Sequence, residues 1–188
     1  MANRTCRAVA GLTLALVACG AGAAAQRAAD HELARFERRV TEYVELHRRV
    51  AAAFPPRRRS GDAAEAARNT DGLFAALIAA RPRAAAGDIF DAAAGDAIRA
   101  HVADTIAQND YDAAVMLRAL RHAHGDRRAV VNQRFPWGGH EVTWPSILWA
   151  LPPLPPELEY RFVGRDLVLL DAGADLVVDV LAAVLPLS

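Results

Sequence analysis

Apolar positions between Leu33 and Phe54 recur at alternating steps of three and four, through Leu33, Phe36, Val40, Tyr43, His47, Val50 and Phe54. That spacing is one face of a long helix. The sequence predicts a start near Asp30 and a stop at Pro55-Pro56, because a proline disfavours helix at the residue before it. Glu42, Glu45, Arg39 and Arg49 fall off the seam, where Glu45 with Arg49 and Arg39 with Glu42 are placed to pair on the solvated side. A seam this short argues for packing within one bundle ahead of a coiled-coil dimer.

The same periodicity predicts a second helix over Asp62 to Ala80, with Ala66, Thr70, Leu73 and Leu77 inward and Pro82 ending it. Gly87-Asp88-Ile89-Phe90 reads as a turn that inserts Ile89 and Phe90 into the core. A third helix follows over about Ala92 to Ala107 with Ile98, Val102 and Ile106. A fourth begins at Asp110 as N-cap, carries Met116, Leu117 and Leu120, and stops at Gly125.

After Asp126 the pattern changes to that of strands. Ala129 to Phe135 is β-prone and closed by Pro136, so it reads as a first strand. Pro145 opens a short helix to Ala150, and Leu151-Pro152-Pro153-Leu154-Pro155-Pro156 has polyproline II composition. That segment reads as a stiff connector whose leucines pack on their own domain, ahead of a ligand for an aromatic-lined groove. Glu159 to Val163 and Asp166 to Leu170 flank Gly164-Arg165, a two-residue hairpin loop with glycine first. The register sets Tyr160 opposite Leu169 and Phe162 opposite Leu167 on one face, with Arg161 and Val168 on the other. A turn over Asp171 to Asp175 returns Leu176-Val177-Val178 as a third strand, followed by a short apolar helix through Leu185. The seam of the first helix is the natural cover for the hairpin. The expected fold class is therefore α+β, a four-helix layer packed on a small antiparallel sheet.

Composition narrows the class. At 188 residues, 53% hydrophobic and 23% charged, the chain suits one domain. Its basic residues are all arginine and balance its carboxylates, so charge gives no case for nucleic acid. Arg4 and Arg7 precede an uncharged run from Ala8 to Ala18 that is too short to span a bilayer, which is the pattern of a secretory signal peptide over residues 1–25. Two processing sites compete. Leu16-Val17-Ala18-Cys19 resembles the bacterial lipobox and would lipidate Cys19, whereas Ala23-Ala24-Ala25 suits ordinary signal peptidase. Either outcome places a single domain over 26–188, helical over about 28–125 and strand-rich over about 127–188, outside the cytoplasm. It would be periplasmic or tethered to the outer membrane, touching the membrane only through an N-terminal lipid. Cys6 and Cys19 are the only cysteines, so the exported fold is expected to have no disulfide, thiol catalysis or thiolate metal site. The basic Arg57-Arg58-Arg59 loop reads as solvated, with contact to anionic headgroups as the alternative.

Candidate chemistry is sparse. Ser60, Ser146 and Ser188 lack a glycine-flanked elbow, and no phosphate loop or paired-histidine zinc motif is present. Asp171, Asp175 and Asp179 recur every four residues but lack the ligand pattern of a calcium loop, and read as turn-forming and capping residues. His47 on the seam reads as an interface histidine with a hydrogen-bond partner, with a ligand or pH-sensitive role as the alternative. His122, His124 and His140 form the candidate metal set, although His122 and His124 point to different faces of a helix.

The hairpin Leu158-Glu159-Tyr160-Arg161-Phe162-Val163-Gly164-Arg165-Asp166-Leu167-Val168-Leu169-Leu170-Asp171 with Leu176 to Leu181 resembles the closing hairpin of small exported proteobacterial proteins. One such family is similar to the periplasmic nickel/cobalt efflux regulators. With Arg39 to His47 and Gly87 to Phe90 included, the chain more closely resembles an uncharacterised exported family. Where the efflux regulators usually carry a Thr-Gly turn, this chain has Ala172-Gly173-Ala174-Asp175, and no functional residue follows from the resemblance. The expectation is an accessory protein, without catalytic motif or cofactor, that binds another envelope protein. A metal-responsive protein using histidines such as His47, His101 and His122 is the alternative, and a small hydrolase with a carboxylate and histidine site is the third reading.

Overall fold

A computed structural model describes residues 13–54, 63–138 and 142–186, with 13–30 as helical backbone only. The Arg57-Arg58-Arg59 loop and His140 lie outside the described residues. The order is α1 (Thr13–Ala51), α2 (Ala63–Ala80), α3 (Ala92–Gln108), α4 (Ala113–His124), α5 (Pro145–Ala150), β1 (Leu158–Val163), β2 (Asp166–Asp171) and β3 (Leu176–Leu181). The fold is α+β, with helices packed on an antiparallel sheet ordered β1-β2-β3.

The seam of α1 covers the hairpin. Phe36, Val40, Tyr43 and Val44 share one buried cluster with Tyr160, Phe162, Leu167 and Leu169. Phe36 stacks on Phe90 at 5.4 Å between ring centroids, and Ile89 and Phe90 enter the core from the turn after α2. The register of β1 on β2 is the one the two-residue loop imposes, with Tyr160 opposite Leu169 and Phe162 opposite Leu167. Gly164 takes φ 59°, a left-handed value that glycine adopts without the clash a Cβ would bring.

The helix α1 starts at Thr13, well before Asp30. The alanine-rich stretch ahead of Asp30 has high helix propensity and no proline to stop it. Ala66 is exposed, because α2 packs only through its second half at Leu73 and Leu77. The N-cap of α4 is Asp112, whose side chain accepts from the Ala114 and Val115 N–H groups, while Asp110 sits at φ 51° in the preceding turn. On α1, Arg39 pairs with Asp91 at 3.1 Å in place of Glu42.

Residues 129–135 do not form a strand. Asn132 at φ 61° turns the chain, and only the Arg134–Leu176 bridge and the exchange of Asn132 and Gln133 with Val177 tie the segment to β3. Its Phe135 nevertheless covers the outer sheet face with Val163, Val168, Leu170 and Val177. The helix expected after β3 is absent as well. Pairing continues to Leu181, Ala183 turns at φ 56°, and the Val184 and Leu185 N–H groups donate to the Arg165 carbonyl.

A bulge between Leu169 and Leu170 gives β3 one extra residue, Val178. Counting by twos from Leu176 would send Asp179 outward. The extra residue resets the alternation, so Val178 fills the main core and Asp179 also faces the helices, opposite Leu169.

Candidate functional site

Two polar constellations are buried between helices and sheet. Asp179 accepts from four main-chain N–H groups, those of Gly87, Ile89, Phe90 and Val180, at 2.7 to 2.8 Å. Burial pushes its carboxyl up while these amides pull it down. It fixes the turn after α2 onto β3.

Asp171, at the end of β2, is the partner of His47. Its Oδ2 accepts from the Tyr43 hydroxyl at 2.7 Å and from His47 Nδ1 at 2.5 Å, and its Oδ1 accepts from the Ala174 N–H at 3.0 Å. The hydrogen bond to Asp171 raises the His47 pKa above the ordinary histidine value against the opposing effect of burial. Burial, then the charge of Asp171, pushes the Tyr43 phenol far up. The Arg81 guanidinium lies over the Tyr43 ring at 5.2 Å and donates to the Val178 carbonyl at 2.8 Å. Tyr43 and His47 are one helical turn apart, so α1 presents both to one carboxylate. This cluster joins α1 to the sheet.

The open surface lies elsewhere. A cleft of about 540 Å³ runs between β1 and the segment from α5 through the prolines, lined by Leu148, Trp149, Leu151, Pro153, Leu154 and Tyr160 among others. The short helix α5 buries Ile147, and Trp149, two residues on, turns away from the core and is 84% exposed. The proline segment is tied to β1 by Tyr160 OH donating to the Pro152 carbonyl at 3.0 Å and by Leu158 N–H donating to that of Pro155, also at 3.0 Å. Its Leu151 is buried and Leu154 packs on the core, as expected of a connector. A smaller cavity of about 120 Å³ adjoins it, sharing Leu148, Tyr160 and Arg161 and reaching His124, Phe135 and Trp137. Tyr43, His47 and Asp171 line neither.

The edge of β1 forms one side of this cleft. The Ala172 N–H donates to the Glu157 carbonyl, which makes Glu157 and Ala172 a hydrogen-bonded pair and sets the phase for the ladder. Glu159 and Arg161 therefore exchange bonds with Leu170 and Val168, and the main-chain groups of Leu158, Tyr160 and Phe162 point away from β2. Leu158 N–H is taken by Pro155; those of Tyr160 and Phe162 have no hydrogen-bond partner among the described residues. Beside them Arg161 pairs with Glu159 at 2.7 Å, and burial pushes the Glu159 carboxyl up.

The predicted histidines are dispersed. His122 is exposed on α4, and His124 is buried edge-on against Phe135 at 6.2 Å, with burial pulling its pKa down. His101 is exposed on α3. Among the described residues no group of three or more His, Cys, Asp or Glu side chains is placed to hold a metal ion. Cys19 falls in the part of α1 given as backbone only. Among the described residues no helix is long and apolar enough to cross a membrane.

Sequence reasoning missed Asp171 as the partner of His47. The signal was present, since Asp171 continues the inward alternation Leu167, Leu169, Asp171 and so puts a carboxylate on an apolar face. It also missed the exposed Trp149. Comparison of the chain with protein-family models, curated proteins and solved structures found no match.

Proposed function

We propose that this chain is an exported accessory protein of the bacterial cell envelope that acts by binding a protein partner. The observation that carries the reading is the cleft along β1, where Trp149 stands clear of its own fold beside Leu148, Leu151, Pro153 and Leu154. An apolar cleft flanked by an exposed aromatic side chain suits the docking of polypeptide. Export is supported by Arg4 and Arg7 ahead of the apolar run to Ala18, and by the confinement of both cysteines to that leader. The buried acid–histidine pair favours a structural role over a hydrolytic one, because its carboxylate is fully committed to Tyr43, His47 and Ala174.

Two measurements test this. Fractionation should place the chain in the envelope. A photoreactive residue in place of Trp149 should give a saturable adduct there that Leu154→Glu abolishes. A cytosolic chain overturns the export reading, and an envelope chain that gives no adduct overturns the binding surface.

A further inference from the structure

We propose that the cavity on the outer edge of β1 binds a small, uncharged, planar ligand through a lactam or carboxamide group, the chemistry of pyrimidine bases and related heterocycles. The proposal concerns the cavity of about 120 Å³ and not the larger cleft beside Trp149, and it stands apart from the protein-binding reading.

Main-chain hydrogen bonding defines the polar wall. Tyr160, Arg161 and Phe162 line the cavity, and the main-chain groups of Tyr160 and Phe162 point away from β2 toward it. Both residues are buried, at 8% and 4% exposure. Their N–H groups have no hydrogen-bond partner among the described residues, nor do their carbonyls accept one on that side. Buried main-chain groups are almost always paired, so two unpaired N–H groups facing one cavity mark the place where an acceptor belongs. Along this edge N–H and C=O alternate, and a partner must offer C=O and N–H in return. A whole strand does not fit, because Phe135, Trp137 and Val142 of the same chain wall the cavity. A cis amide does, since its C=O and N–H lie side by side on adjacent atoms and span the length of one residue.

The other walls set the rest of the chemistry. Phe135 and Trp137 meet edge to face at 4.8 Å between ring centroids, and Val142, Leu148 and Phe162 complete an apolar lining. Such walls suit a flat ring. Size limits the ligand to one ring, because about 150 Å³ admits benzene. The space here is of that order and adjoins the cleft at Thr143 and Leu148. Charge is excluded as well. The guanidinium of Arg161 is already paired with Glu159 at 2.7 Å and lies over the Trp137 ring at 5.8 Å. His124 is 5% exposed, and burial pulls its pKa down, so it is neutral at pH 7. An anion would find no unshared cation on these walls, and a cation would find no carboxylate. A neutral ring that brings one acceptor and one donor satisfies the edge and buries no charge.

The test titrates the full chain with 2-pyridone, a neutral single-ring lactam, and follows the Tyr160 and Phe162 amides by NMR. Both amides should shift saturably, and their hydrogen exchange should slow at saturation. N-methyl-2-pyridone, which lacks the donor, should bind at least about tenfold more weakly, because a buried carbonyl is then left unpaired. Toluene, a ring without the amide, and benzoate, a charged ring of similar size, should each be weaker by about the same factor. Val142→Trp, which fills the cavity from a wall outside the larger cleft, should abolish binding. The absence of a saturable shift at either amide overturns the proposal. So does an N-methyl analogue or toluene that binds as tightly as 2-pyridone, since neither can pair with the edge, and benzoate that binds more tightly overturns the uncharged class. Undiminished binding to a folded Val142→Trp chain places the ligand elsewhere and also overturns it. If that variant fails to fold, the comparison of the two pyridones on the wild-type chain decides.

Discussion

The two edges of the sheet are treated in opposite ways. Along β3, Val177 exchanges hydrogen bonds with Asn132 and Gln133, the Val178 carbonyl takes Arg81, and Asp179 takes the amides of the turn after α2. Along β1, the one main-chain bond on the outer side among the described residues is Leu158 N–H to Pro155. An unpaired edge invites association, and proteins commonly cover it with a loop or a helix. Here one edge is closed by three separate segments of chain, while the other borders an apolar cleft with an exposed tryptophan. The difference separates a side bound into the fold by side-chain and main-chain ties from a side that carries the apolar cleft and the exposed Trp149.

The contrast breaks first at Asp179. Replacing it with alanine leaves the Gly87, Ile89, Phe90 and Val180 N–H groups without their acceptor, and should cost about 4 kcal/mol of unfolding free energy in a denaturant titration. Exchange of the Gly87 to Phe90 amides should quicken at the same time. Next comes Asp171→Ala, which strands Tyr43 and His47 at the junction of α1 and the sheet and should cost about 3 kcal/mol by the same titration. A loss under 1 kcal/mol would mean that the carboxylate is not the tie.

A smaller effect is a pH dependence. The His47 pKa is raised in the folded state, so its contribution is complete below the unfolded value of about 6.5 and is lost as pH rises through the folded value. Thermal unfolding should therefore show Tm falling above about pH 6.5, and His47→Gln should remove that slope. The smallest effect belongs to the open side. Trp149→Ala should change stability by less than about 0.5 kcal/mol while abolishing binding to the cleft, the reverse of the pattern at Asp179. A large loss of stability on removing Trp149 would erase the distinction between the two sides.

Local patterns that carry their own geometry were legible in the sequence. The Gly164-Arg165 loop has only one register, so every pair of the hairpin could be written down from it. The seam of α1 was legible because the sheet covers one continuous helical stripe. Features decided by distant chain were not. Ala129 to Phe135 has β propensity, but a strand needs a neighbour along its whole length, and β3 offers one only around Leu176 and Val177. The third strand extends past Val178 because the bulge changes the side each residue faces, and a two-residue count cannot see an insertion. His47 was read as an interface residue with a hydrogen-bond partner, and it is one. Its partner lies 124 positions away, beyond any periodicity.

The bulge at Val178 also bears on how strands of this kind vary in length. A chain one residue shorter at this point would keep Val177, Asp179, Val180 and Leu181 on their present faces, because regular alternation alone places them there. What it would lose is a side chain in the core and the carbonyl that Arg81 holds. Among descendants of one ancestor, the extra residue and the arginine should thus be gained and lost together, although 97 positions of sequence separate them.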